Sequence, residues 1–172
     1  MSLEVESRPP SGPRAGLVWL VPTAVIVFIG RSYFDSFLKE AGKDHYQLFR
    51  KGIASLWSLF FGDDRAIRAK VVGTPGKVPK DPRYSVAFSI MAAGNSGLMF
   101  KLLLPDEASA AEFSLAIANF LGFLSCYYSG RLDSATQLRL ASSHAVGRTI
   151  LMMYDKANGF FEFPEVTASE ES

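Results

Sequence analysis

The sequence predicts an α+β fold in two layers, an antiparallel sheet of about five strands in two hairpins covered by two helices. Three observations carry this reading. Apolar residues recur at nearly helical spacing from Phe34 to Phe60. Strand-like runs broken by Gly, Asn and Pro turns occupy 84–104 and 148–163. Between those runs lies a stretch, Phe113 to Gly130, that contains no charge.

The totals suit a domain with a substantial core. The chain has 172 residues, 48% of them apolar and 20% charged, with 14 Phe. A net charge of +1 argues against a dedicated nucleic-acid binder, because neutralising phosphates requires a clustered excess of Lys and Arg. The single cysteine, Cys126, rules out an intramolecular disulfide and suits a reducing, cytoplasmic setting.

Residues 1–14, with Pro9, Pro10, Gly12 and Pro13, read as a flexible leader. The domain proper is expected over 15–163, beginning with an apolar arm at 16–30. That arm has no charge. As a helix, residues 15–30 would reach only about 24 Å, short of the roughly 30 Å of a bilayer core. Pro22 suits the first turn of a helix starting near Val21, whereas the β-branched Val25, Ile26 and Val27 favour a strand. The arm is expected to dock on a protein partner, on a second copy of the chain or peripherally on a membrane, through Trp19, Val25, Phe28 and Phe34.

From Ser32 to Phe61 a long amphipathic helix is expected, its polar face carrying Lys39, Glu40, Lys43, Asp44, Gln47, Arg50 and Lys51. Gly30, Gly42 and Gly52 each weaken it by about 1 kcal/mol relative to Ala, so a bend or a division into two helices is the alternative. Strands follow at Ala66–Val72, Tyr84–Ala92 and Leu98–Leu104, the last two forming a hairpin about Ala93–Gly97. Ser109 and Glu112 have capping-box spacing at the head of a helix running to Tyr128. Its Phe113, Ile117, Phe120, Leu121 and Leu124 form one stripe. Ser114, Ala118 and Gly122 form a second, small enough to admit the Phe34–Phe60 helix. A helix this apolar is expected to be buried on nearly every side. A short helix capped by Asp133 or Ser134 is expected next. A second hairpin joins Arg148–Tyr154 to Phe160–Phe163. An acidic mobile tail covers 164–172.

Catalytic chemistry has little support in this pattern. Ser143, His144 and Asp155 are the one polar cluster that resembles a hydrolase set, and no Gly-x-Ser-x-Gly elbow accompanies them. His45 lacks a partner ligand at i+4, where Phe49 stands. Cys126 reads as a buried structural thiol. Gly73–Lys77 lacks the spacing of a phosphate loop, and no cofactor is expected. Arg65–Arg83 is locally basic, which reads first as a solvated strand and loop. Three functional classes follow. A non-catalytic interaction or regulatory protein docking through its arm comes first. A membrane-anchored or membrane-acting effector or antagonist is the second. The third is a ligand-binding protein or hydrolase using a pocket between sheet and helices.

Overall fold

Alternating apolar residues make the strands of this protein, and one capped, charge-free stretch makes its main helix. The computed structural model describes residues 2–6, 25–32, 51–52, 55–61, 68–72, 84–85, 88–145 and 147–164. The strands are β1 (Ser2–Glu6), β2 (Val25–Ile29), β3 (Arg68–Val72), β4 (Phe88–Ala93), β5 (Met99–Leu103), β6 (Thr149–Asp155) and β7 (Phe160–Glu162). The helices are α1 (Trp57–Phe60), α2 (Ala110–Tyr128) and α3 (Ser134–Ser142).

A five-stranded sheet has the order β2-β4-β5-β6-β7, and β1 pairs with β3 in a separate two-stranded sheet. The large sheet is mixed, not antiparallel as expected. β4–β5 and β6–β7 are the two anticipated hairpins, but β2–β4 and β5–β6 are parallel. The cause is the connection between β5 and β6, which passes through α2 and α3. A crossover of that kind returns the chain to the end of the sheet where β5 began, so β6 runs parallel to it. The strand expected at 66–72 forms as β3 but leaves the large sheet, and β2 takes the place beside β4.

Val25–Ile29 is therefore a strand, not part of a helix starting near Val21. Its β-branched run decided the matter, since such side chains pack well on a pleated surface. The long helix expected over 32–61 is not supported. Residues 33–50, 53 and 54 lie outside the described residues, and the helix at its end is the four-residue α1. The Ser55 hydroxyl donates to the Gly52 carbonyl at 2.6 Å and that of Ser58 to the Ser55 carbonyl at 3.1 Å. Both are back-bonds of a kind that helical backbone accommodates, and residues 51–52 and 55 are themselves helical.

One face of the sheet packs on α2. Successive rows on that face, Val27-Ile90-Leu102-Met152 and Ile29-Ala92-Phe100-Ile150, follow the strand register. All of these are buried except the half-buried Val27. From α2 come Phe113, Ile117, Phe120 and Leu124, all buried. Phe88 lies 5.8 Å from Phe113, and Phe100 meets Phe123 edge-on at 5.2 Å between ring centroids. Each such side chain contributes roughly 1.5–3 kcal/mol by leaving water. Phe60 and Phe61 close the end of this core, 5.0 Å from Phe88 and 5.2 Å from Phe113.

Helix α2 starts on the predicted capping box, with Ser109 and Glu112 bonded reciprocally. It is not buried on every side. Leu115 and Gly122 are exposed, Ser114 and Ala118 half-buried. Nothing lies within 4 Å of where a Cβ on Gly122 would sit, so the small stripe carries no helix among the described residues. The cover that α1 supplies is at the head of α2, where Trp57 Nε1 donates to the Ala108 carbonyl at 2.7 Å. Cys126 is half-buried, a correction to the buried thiol expected, because it faces away from the sheet. Asp133 caps α3, accepting from the Thr136 amide at 2.9 Å.

Candidate functional site

Among the expected docking residues, Trp19 and Phe34 lie outside the described residues. Val25 opens β2, and Phe28 is its fourth residue. The structure places Phe28 on the sheet face away from α2, since its neighbours Val27 and Ile29 pack with the α2-side core. It is 58% exposed.

The register makes that exposure informative. Phe28 is aligned with Met91, Met91 with Lys101, and Lys101 with Leu151. Along this single row, burial rises from the edge inward. Phe28 is exposed, Met91 half-buried, and Lys101 and Leu151 buried. Burial on both faces is what parallel pairing normally brings. Here it reaches the centre of the sheet and stops short of β2. Tyr84 lies on this second face near β6, its hydroxyl donating to the Met153 sulfur at 2.6 Å.

The far end of β2 is fixed in place. Ile29 is buried. The Arg31 guanidinium donates to Asn95 Oδ1 at 3.0 Å and stands 5.8 Å from the centre of the Tyr128 ring. Asn95 belongs to the β4–β5 turn, whose backbone N–H also donates to the Tyr127 hydroxyl at 3.0 Å. That turn requires Gly97, at φ +76, because a side chain there is strained. The outer edge of β2, by contrast, pairs with no strand among the described residues.

Lys101 is a residue that the sequence pattern did not single out. It is only 4% exposed, and no described residue bonds or pairs with its amine. Burial pushes that amine below its ordinary pKa of 10.5, as desolvation of a cation should. The signal was present: Lys101 alternates with Phe100 and Leu102, and in a sheet buried on both faces the alternate residue is inside too.

Ser143, His144 and Asp155 are not brought together. Ser143 ends α3 and donates from its hydroxyl to the Leu140 carbonyl at 2.7 Å. His144 is exposed in the loop that leads to β6. Asp155 is the last residue of β6, so a strand of roughly 20 Å separates it from that loop. Its carboxylate builds the β6–β7 turn, accepting from the Asn158 amide group at 2.6 Å and from the Ala157 N–H at 2.8 Å. Those bonds, the Asn158 side chain first, hold its pKa below the usual value. Among the described residues, no three His, Cys, Asp or Glu side chains gather where they could hold a metal.

Helix α2 is long and apolar enough to cross a membrane, though a core helix passes the same test. No protein-family model matches the chain, and comparison with curated proteins and with solved structures found no match either.

Proposed function

We propose that this chain is a non-catalytic interaction protein that docks through its apolar N-terminal arm, and that β2 is the docking strand. The carrying observation is the exposed Phe28 on an edge strand whose outer side is unpaired among the described residues. An unpaired edge presents a row of backbone donors and acceptors that a second strand can satisfy.

A second copy of the chain is the partner that this edge fits best. Val25-Ile26-Val27-Phe28-Ile29 is close to symmetric about Val27. Antiparallel pairing centred there sets position 25 opposite 29, 26 opposite 28, and 27 opposite itself. Positions of like parity meet, so the apolar face of each sheet continues into the other. The result is a two-fold, isologous contact of the commonest kind. A five-residue strand pair is below the area of a standard interface, and the dissociation constant is expected to be roughly micromolar.

Sedimentation equilibrium tests this reading. The wild-type chain is expected to form a concentration-dependent dimer, and Phe28→Lys to remain a monomer with unchanged melting. A wild-type chain that stays monomeric at high concentration would overturn the self-docking reading. Vesicle co-sedimentation that Phe28→Lys abolishes, with no dimer present, would instead favour a membrane as the docking surface.

A further inference from the structure

We propose a second, independent site: the cleft between α2, α3 and the β6–β7 hairpin binds a small aromatic carboxylate. The cleft has a volume of about 650 Å³ and is lined by Gly122 and Cys126 of α2, by Arg131 and Arg139, and by Tyr154 and Phe160 of the hairpin, among others. It opens at the border of the α2-side core, whose Phe123 and Phe161 are part of its lining. Gly122 keeps it open, because a longer side chain at that position would project into the space.

Its charge and shape select the ligand. The Arg139 guanidinium stacks over the Phe160 ring, 3.7 Å from its centroid. Stacking occupies one flat face of the group and leaves its N–H edge available. Arg131 is held by one bond, its Nε donating to the Ser129 hydroxyl at 3.0 Å. No described acceptor meets the remaining N–H groups of either arginine. Asp133 is the one acid in the lining, and it is already engaged. Its carboxylate accepts from the Thr136 N–H at 2.9 Å and from the Thr136 hydroxyl at 2.6 Å. Those bonds, the hydroxyl first, hold its pKa below the usual value. Two guanidiniums and one carboxylate leave a single positive charge in excess, which suits a monoanion. A planar carboxylate matches the fork of a guanidinium. The aromatic and aliphatic lining from Tyr154, Phe160 and Leu132 suits a flat apolar body joined to that carboxylate.

The experiment is a titration of the full chain with 1-naphthoate and with its uncharged isostere 1-naphthamide, followed by calorimetry and by amide shifts. The acid is expected to saturate and to bind about tenfold more tightly than the amide, as a charge-assisted pair requires. Arg139→Gln is expected to weaken the acid about tenfold, and Arg139→Lys by less, because it keeps the charge and loses the fork. Gly122→Leu, which improves helix propensity while filling the cleft, is expected to block both ligands and to raise the melting temperature. Equal affinity for acid and amide would overturn the site. So would undiminished binding in Gly122→Leu, or no saturation by the acid at millimolar concentration.

Discussion

The two edges of the large sheet are built in opposite ways. β7 has three residues, Phe160–Glu162, carries the exposed Glu162, and is followed one residue later by Pro164. α3 lies against it, with Arg139 seated on Phe160. Shortness, a charge, a proline and a covering helix are the usual devices that stop an edge from recruiting another strand. Among the described residues, β2 has none of them. It has five residues, all apolar, and its Phe28 is in water. One edge is covered and the other is unpaired among the described residues, which is why docking is proposed for β2.

Truncating an aromatic residue at each edge should expose this contrast most strongly. Phe161 is 8% exposed and meets Phe120, Phe123 and Tyr154 at 6.3, 5.8 and 5.3 Å. Phe161→Ala is expected to cost about 3–5 kcal/mol of unfolding free energy in a urea titration. Phe28→Ala is expected to change it by less than about 0.5 kcal/mol, the range of a surface substitution. Comparable losses at both positions would show that Phe28 is a core residue of the monomer.

Lys101 sharpens the same contrast along the row that begins at Phe28. Lys101→Met keeps the length of the side chain and removes a buried amine that no described residue pairs with, and a gain of about 1–3 kcal/mol is expected at neutral pH. The sign of the pH dependence follows from the lowered pKa. Between the folded value and 10.5, the unfolded chain binds more protons than the folded one, so stability rises with pH across that window. The penalty is complete below the folded value. Lys101→Met should flatten this alkaline rise in melting temperature, and an unchanged slope would place the amine in water.

A smaller effect is expected where the β7 side is tied to α2. Lys156, in the β6–β7 turn, pairs with Glu112 of the capping box. That pairing first, then the Ser109 N–H and hydroxyl, hold the Glu112 carboxyl at about 2, below its ordinary 4.5. Its contribution is therefore present above 4.5 and lost as pH falls toward about 2. Ser109→Ala is expected to cost about 1 kcal/mol. Glu112→Gln should lose less, and it should remove that part of the acid dependence of melting between these values. Dimerisation at β2 should be unaffected by either change.

Much of this fold can be read in the chain because local chemistry decides it. The capping box at Ser109, the cap at Asp133 and the turns at Ala93–Gly97 and Asp155–Gly159 are local patterns, and each stands where expected. Strand direction is legible too, against the antiparallel expectation: a helical crossover between two strands of one sheet favours parallel pairing. The partner of β2 could not be read, because pairing Val25–Ile29 with Phe88–Ala92 joins segments about sixty residues apart by register alone. The alternation at Lys101 signals burial only once both faces of the sheet are known to be covered, which the antiparallel, two-layer expectation does not include. The cleft at Arg131 and Arg139 left no local trace. Its lining comes from separate elements, and its arginines read as ordinary surface charge.

The most direct test of the docking edge is hydrogen exchange across Val25–Ile29 in the wild-type chain as concentration is raised through the micromolar range. Backbone amides on the outer side of β2 are expected to become protected in step with dimer formation, while those of β7 remain unchanged. In Phe28→Lys the same amides should exchange quickly at every concentration. Protection of the β2 amides that is equal at low and high concentration would contradict the account, because the edge would then be closed within the single chain.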